Sequence, residues 1–211
     1  MIEVKELSVA FRDTEVLHKV SCTFLPGEIT GLMGRNGSGK TVLLKAVCGM
    51  LSPASGSVII EGKKLTTQNA HRFSIGALIE TPGFLRHYSG LRNLDFLAAL
   101  RGGDHVDRAR RAMDIVGLDW REKKRVGAYS LGMKQKLGIA QAIMDDPDIL
   151  ILDEPMNGLD QASIAALHTL VQELAQQGKT VILASHYAED LNNLCTHLYH
   201  VERGVLTPLP A

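Results

Sequence analysis

Eight residues in the first quarter of the chain have the types and spacing of a phosphate-binding loop. They fit the pattern G-x-x-x-x-G-K-[ST] with Gly34, Arg35, Asn36, Gly37, Ser38, Gly39, Lys40 and Thr41. The glycines let the backbone curl until several N–H groups point at one anion. The lysine adds a positive charge for the β- and γ-phosphates, and the threonine offers a hydroxyl to Mg²⁺. We therefore predict a nucleotide-phosphate site; the alternative is a chance glycine-rich turn.

The segments on either side of this loop favour the first interpretation. Residues 27–33 have the pattern of a turn and a short strand, and residues 42–47 that of the first turns of a helix. The N-terminus of such a helix favours negative charge. We include Val42, at its start, among the residues expected to bind the nucleotide.

A second group with chemical potential is the acid pair Asp153 and Glu154, which follows the apolar run 149–152. An open α/β sheet presents its ligand site at the carboxyl ends of its strands. A carboxylate there can hold Mg²⁺, directly or through water, and Glu154 can orient or deprotonate an attacking water. The alternative is an acid pair that caps a helix.

Hydrophobic patterns predict the elements that position these groups. Alternation over residues 1–30 predicts a small antiparallel sheet with a turn at 11–14, and further strands are expected at 56–62 and 73–79. Residues 90–145 have helical character, with one helix capped by Asp104 and another beginning at Ser130.

The last third of the chain returns to alternating strand and helix. The continuous apolar runs 149–152 and 181–184 are typical of strands buried on both faces of a parallel sheet, and the helix between them is expected to end near Gly178. This alternation indicates an α/β fold with a mostly parallel sheet.

Composition excludes several classes of protein. The 211 residues include 23 Lys and Arg and 23 Asp and Glu, and the absence of a basic excess argues against a nucleic-acid partner. Cys22, Cys48 and Cys195 lie far apart, which indicates reduced core thiols.

Neither a secretory signal nor an apolar run long enough to cross a bilayer is visible, so we expect a cytosolic chain or one that docks on a membrane through a partner. The charged run 121–125 is either a solvated surface or a docking face for a membrane partner.

The order of the motifs resembles that of the nucleotide-binding subunit of ABC transporters over essentially the whole chain. The motifs are the phosphate loop, the segment Ser130–Gln135, the run Ile151–Pro155, the loop Asn157–Asp160, and Ser185-His186. The resemblance implies one ABC ATPase domain over 1–211. Its P-loop NTPase core, with an N-terminal antiparallel β subdomain, would comprise 1–84 and 146–211, and an inserted helical subdomain would comprise 85–145.

The resemblance also implies roles for single residues. Two chains would sandwich two ATP molecules, with Ser130, Gly132 and Met133 of one chain binding the nucleotide held by the other. Lys40, Glu154 and His186 would be catalytic, Phe11 would stack on adenine, and Asp160 would link the two sites. A structural role for the histidine and a core position for the phenylalanine are the alternatives. The first glycine and the glutamine of the family's signature are replaced by Leu131 and Met133.

Glu80 stands where the family normally carries a glutamine that senses Mg²⁺ and the attacking water. This glutamate and the segment Ser130–Gln135 resemble the subgroup of exporters for bacitracin-like and lantibiotic peptides. The implied metal site consists of Thr41, Glu80 and Asp153, and the added negative charge is expected to tighten Mg²⁺ binding.

The resemblance as a whole implies an ATP-hydrolysing subunit with ATP and Mg²⁺ as cofactors. It would form a homodimer or heterodimer, lie on the inner face of the cell membrane, and drive an integral membrane subunit that exports a peptide or antimicrobial. One rival is a soluble ABC-type ATPase that moves no cargo, although such proteins usually carry a second nucleotide domain or a long coiled coil. An ordinary P-loop kinase, the other rival, leaves the Ser130–Gln135 segment and Ser185-His186 unexplained.

Overall fold

The computed structural model describes residues 1–12, 14–80, 83–100, 102 and 105–210, apart from the side chain of His105. Its strands are β1 (Ile2–Phe11), β2 (Thr14–Phe24), β3 (Ile29–Met33), β4 (Ser55–Ile60), β5 (Lys63–Lys64), β6 (Ile75–Leu78), β7 (Ile149–Asp153), β8 (Thr180–Ser185), β9 (His197–Glu202) and β10 (Val205–Pro208). Its α-helices are α1 (Lys40–Val47), α2 (Gly90–Ala99), α3 (His105–Ile115), α4 (Leu131–Ile143), α5 (Gln161–Gln176) and α6 (Ala188–Asn192).

The first sheet is antiparallel and has the order β2-β1-β4-β5. Ile2 pairs with Phe24 and with Ile60, so β1 is central to this sheet. The apolar side chains of β1 and β2 that alternate in the sequence are buried against α1, as a half-buried sheet requires. The predicted N-terminal antiparallel sheet is confirmed.

The second sheet has the order β10-β9-β3-β8-β7-β6. Every neighbouring pair from β9 to β6 is parallel, and only the edge strand β10 is antiparallel, to β9. The predicted mostly parallel sheet is therefore confirmed. The β9–β10 hairpin was not predicted, because its strands are short and only partly buried, which weakens the alternation signal.

Two hydrophobic cores lie on opposite faces of this second sheet. In β7, Leu150 and Leu152 face the core formed with α4 and α5, whereas Ile149 and Ile151 face the core shared with α1 and the first sheet. Because successive side chains of a strand point to opposite faces, the run is buried at every position. This double burial fixes the carboxyl end of β7, where the acid pair follows.

Some element boundaries differ from the predicted ones. The strand expected at 73–79 is limited to Ile75–Leu78, since pairing with β7 covers only that stretch. The helix expected to begin at Ser130 has that residue as its N-cap, as predicted. Asp104, expected to cap α3, lies outside the described residues.

Candidate active site

The phosphate loop connects the end of β3 to the start of α1. Gly37 and Gly39 have φ values of 80° and 112°, in the left-handed region that glycine adopts without a steric penalty. A side chain at Gly34 would collide with the carbonyl oxygen of Val201 on β9. The loop therefore depends on its glycines both for its curl and for close packing against a neighbouring strand.

Lys40 is the first residue of α1 and is only 4% exposed. Its Nζ donates a hydrogen bond to the carbonyl oxygen of Gly34 at 2.6 Å, which folds the side chain back over the loop. The same Nζ lies 3.6 Å from Oε1 of Glu154, which is an electrostatic contact beyond hydrogen-bond length. The loop cation and the predicted catalytic acid are thus neighbours.

Thr41 and Asp153 form the contact that links α1 to the end of β7. The Thr41 hydroxyl donates to Oδ2 of Asp153 at 2.6 Å. The other carboxylate oxygen, Oδ1, is buried without a hydrogen-bond partner among the described residues. Burial raises the pKa of Asp153, the Thr41 hydrogen bond opposes that rise, and the negative charge of Glu154 adds to it.

This pair fits a magnesium ion. Mg²⁺ prefers oxygen ligands and usually takes one or two from protein and the rest from phosphates and water. The Thr41 hydroxyl and the unpartnered Asp153 oxygen supply such ligands beside the phosphate loop. Within the described ranges, no three His, Cys, Asp or Glu side chains form a metal-binding group of their own. An ion here would therefore complete its ligands with phosphate oxygens or water.

Glu154 is held by three parts of the chain. Its backbone N–H donates to the carbonyl oxygen of Ala184 on β8, and its own carbonyl accepts from Nε2 of Gln135 on α4 at 3.0 Å. Its carboxylate Oε2 lies 2.8 Å from Nδ1 of His186. The backbone has φ 50°, a strained conformation for a glutamate, which turns the chain sharply after β7. Two of the predicted catalytic side chains are therefore in direct contact.

The surroundings of His186 include Ser185, from the predicted motif, and two residues that the sequence motifs did not include, Asp190 and Tyr187. Ser185 is fully buried; its hydroxyl donates to Oδ2 of Asp190 at 2.7 Å and accepts from the backbone N–H of Tyr187. The Tyr187 ring lies against the imidazole, with 3.8 Å between ring centroids. The sequence signal that was available is the spacing of five residues between Ser185 and Asp190, which lies in the short helix α6.

The predicted signature residues begin helix α4. Ser130 caps the helix by accepting a hydrogen bond from the N–H of Met133 at 3.2 Å. A Cβ on Gly132 would lie 2.6 Å from the carbonyl oxygen of Gly158, so this close approach requires glycine. Leu131 is 65% exposed, and its side chain covers Gly158.

Two separate cavities contain the predicted nucleotide contacts. One, of about 310 Å³, is lined by the phosphate loop, Val42, Asp153 and Glu154. The other, of about 330 Å³, is lined by Ser130, Gly132 and Met133 together with the loop that carries Asp160. Among the residues that the structure describes, the two cavities share no lining residue. The signature segment of this chain therefore lies outside the cavity of its own phosphate loop.

Two predicted site residues, Phe11 and Glu80, are not among the described residues that line the phosphate-loop cavity. Phe11 ends β1 and is 47% exposed; the first sheet contributes Val16, and not Phe11, to the cavity lining. Glu80 follows β6, and its carboxylate Oε1 lies 2.7 Å from Nζ of Lys45 on α1. The exposed aromatic is available to a ligand, whereas the Glu80 carboxylate is already engaged.

The structure also describes the charged run 121–125 and the three cysteines. All five residues of the charged run 121–125 are exposed. The thiols of Cys22 and Cys48 are buried, and that of Cys195 is partly buried. No helix within the described part of the chain combines the length and apolar character needed to span a bilayer.

The chain is similar to known proteins over nearly its whole length. The family profile described as ABC transporter matches residues 17–157. The uncharacterized ABC transporter ATP-binding protein YybJ of Bacillus subtilis (strain 168) is 40% identical over 206 residues, which cover 98% of this chain and 94% of that protein. The bacitracin transport ATP-binding protein BcrA of Enterococcus faecalis is 39% identical over 209 residues, covering 98% of this chain and 68% of that protein.

Solved structures show the same architecture. The bacterial ABC transporter cassette MJ0796, solved as a dimer, superposes with a TM-score of 0.90, covers 100% of both chains and is 21% identical in sequence. At this identity the likeness establishes the fold. The arrangement of the two sheets and the helices is therefore that of the MJ0796 cassette.

Proposed function

This chain belongs to the ABC transporter family as an ATP-binding ATPase subunit, and from that premise we propose how its residues act on ATP. The observation that carries the proposal is the contact of one carboxylate with two catalytic candidates. Glu154 Oε2 lies 2.8 Å from His186 Nδ1, and Oε1 lies 3.6 Å from Lys40 Nζ. Glu154 and Lys40 line the same cavity as the loop that cradles phosphates in proteins of this type.

In the proposed reaction, Glu154 orients a water and takes its proton as the water oxygen bonds to the γ-phosphorus. The bond between that phosphorus and the β–γ bridging oxygen breaks, and ADP leaves with the electron pair. His186 holds the glutamate through Nδ1 and leaves Nε2 for a γ-phosphate oxygen. Lys40 and the loop N–H groups stabilise the charge on the phosphate oxygens.

We assign Mg²⁺ to Thr41 and Asp153, with Glu80 as the third predicted metal residue. When bound, the ion neutralises charge on the β- and γ-phosphate oxygens. The unpartnered Oδ1 of Asp153 supports this assignment. Glu80 differs from the other two residues because its carboxylate already contacts Lys45.

We further propose that two chains complete each site. Ser130, Gly132 and Met133 begin α4, where backbone N–H groups and the helix N-terminus favour an anion, and they line a cavity separate from the phosphate loop. A second subunit, identical or closely related, would contribute these residues to the ATP held by the first. The structural relative MJ0796 was solved as a dimer, which supports this arrangement. Adenine would stack on Phe11, whose ring is half exposed.

The partner that receives the energy is proposed to be an integral membrane subunit, with this chain at the inner face of the membrane. The bacitracin transport protein BcrA is among the similar proteins, so we propose export of a peptide-type antimicrobial as the cargo class. We also propose the division into a core at 1–84 and 146–211 and a helical subdomain at 85–145, which the packing of α3 against both α2 and α4 supports.

The decisive variant is Glu154→Gln. We expect it to bind ATP as tightly as the native chain, to lose turnover, and to accumulate as an ATP-bound dimer measured by size-exclusion chromatography. Glu173→Gln, at an exposed position of α5, is the matched control and should hydrolyse ATP normally. Normal turnover in Glu154→Gln would refute the role of Glu154. Co-purification with a multi-span membrane protein from detergent extracts would separate a transporter subunit from a soluble ATPase.

A further inference from the structure

We propose that Lys45 is a positioning residue that competes with Mg²⁺ for the carboxylate of Glu80, the third predicted metal residue, and thereby sets the Mg²⁺ requirement of the site. The inference rests on the proposed function, because it concerns the same nucleotide and metal site. Its basis is the 2.7 Å contact between Lys45 Nζ and Glu80 Oε1.

The sheet register brings Glu80 to the acid pair. Leu78 of β6 lies opposite Leu152 of β7 in a parallel pair. Glu80 follows Leu78 by two residues, as Glu154 follows Leu152, so the two glutamates leave the same edge of the sheet at equivalent positions. Three carboxylates, those of Glu80, Asp153 and Glu154, therefore converge on one edge.

The negative charge of Glu80 acts on Asp153, the proposed metal ligand. The pKa of Asp153 is raised first by burial, and the charge of Glu80 is a smaller contribution of the same sign. A free carboxylate at this edge of the sheet would offer Mg²⁺ an oxygen ligand. The partner of the Glu80 carboxylate therefore decides how readily that oxygen reaches the ion.

Lys45 is suited to that task by its place on α1. It lies four residues after Thr41, so both side chains project from the same face of the helix. The lysine side chain is 28% exposed, whereas that of the glutamate is 61% exposed, so the cation is the more enclosed of the two. Glu80 has φ 60°, a conformation that nonglycine residues seldom adopt. The lysine on α1 is thus the observed partner of the Glu80 side chain.

The test measures the Mg²⁺ dependence of binding of a fluorescent ATP analogue, and not turnover, in four proteins: the native chain, Lys45→Met, Glu80→Gln and the double variant. We expect Lys45→Met to lower the Mg²⁺ concentration at half-saturation about threefold, the scale of one exposed ion pair. In the Glu80→Gln background, Lys45→Met should change the Mg²⁺ concentration at half-saturation less than about 1.5-fold, because no carboxylate is left to release.

Two results would overturn the inference. If Lys45→Met shifts the Mg²⁺ concentration at half-saturation equally in both backgrounds, Lys45 acts only through its own charge and not through Glu80. If it shifts that concentration in neither background, the contact is structural only. Lys64→Met, which removes an exposed lysine from β5, is the control for lost charge. Lys45→Gln repeats the test if the methionine variant does not fold. Failure of the native chain to bind the analogue would count against the proposed function instead.

Discussion

The imidazole Nδ1 of His186 lies 2.8 Å from Oε2 of Glu154, across 32 residues of sequence. The two side chains follow the adjacent parallel strands β8 and β7, which end at the same edge of the sheet. The contact fixes one carboxylate oxygen and leaves the other beside Lys40. This relationship makes the histidine a partner of the catalytic acid as well as a candidate for contact with phosphate.

Removal of the imidazole should therefore impair chemistry more than binding. We expect His186→Ala to lower the ATP turnover rate by about 100-fold or more, the usual scale for a general acid–base partner. Its affinity for ATP, measured by titration with a fluorescent analogue, should change only a few-fold. His197→Ala removes a similar contact, His197 with Glu28, at an exposed position and is the control. Unchanged turnover in His186→Ala would show that the contact is structural.

Asp153 should lower the stability of the nucleotide-free fold at neutral pH. Burial raises its pKa in the native state, so the native state binds more protons than the unfolded state between the two pKa values. The free energy of unfolding therefore falls as pH rises through that window, which begins near the ordinary Asp value of about 4, and stays lower above it. An asparagine can still accept the Thr41 hydroxyl and carries no charge.

We accordingly expect Asp153→Asn to be more stable than the native chain at pH 7, with a difference that shrinks as pH is lowered through the acid range. Urea unfolding of both proteins from pH 4 to pH 8, without nucleotide or metal, measures the difference in their free energies of unfolding. Asp114→Asn, at an exposed position of α3, is the control. A native chain that is the more stable of the two at pH 7 would contradict the prediction.

Gly158 should not tolerate a side chain. It has φ 75°, and an added Cβ would lie 2.7 Å from Cγ of Leu131. We expect Gly158→Ala to reduce the free energy of unfolding by about 1–3 kcal/mol, from backbone strain and overpacking together. The same change in a Leu131→Gly background should cost less, since only the backbone share remains. Equal losses in both backgrounds, measured by urea unfolding, would show that Leu131 does not cause the overpacking.

The three thiols should be nearly inert in the folded chain. Burial raises the pKa of Cys22, Cys48 and Cys195 to about 12, so only about one thiol in ten thousand is ionised at pH 8. We expect iodoacetamide to label all three rapidly in urea and very slowly without it, with Cys195 first because it is the least buried. Peptide mass mapping over time measures the rates. Rapid labelling of Cys22 in the native chain would be inconsistent with its burial.

Contiguous stretches of the sequence determine much of the site by themselves. The phosphate loop, its preceding strand and its following helix occupy one unbroken stretch, so spacing alone predicts them. The apolar run ahead of Asp153 likewise predicts a strand buried on both faces. Boundaries are less accurate where pairing with a neighbour decides the length, as in β6, and the β9–β10 hairpin has too weak an alternation to be predicted.

Tertiary structure decided which distant groups meet. The sequence predicted Glu154, His186 and Lys40 as separate candidates. Only the order and register of the parallel strands bring His186 and Lys40 to the carboxylate of Glu154. The same holds for Lys45 and Glu80, and for Leu131 over Gly158. Local spacing fixes turns and helix starts because these depend on neighbouring residues. Contacts across a sheet edge depend on strand order and packing, which no single stretch of the sequence encodes.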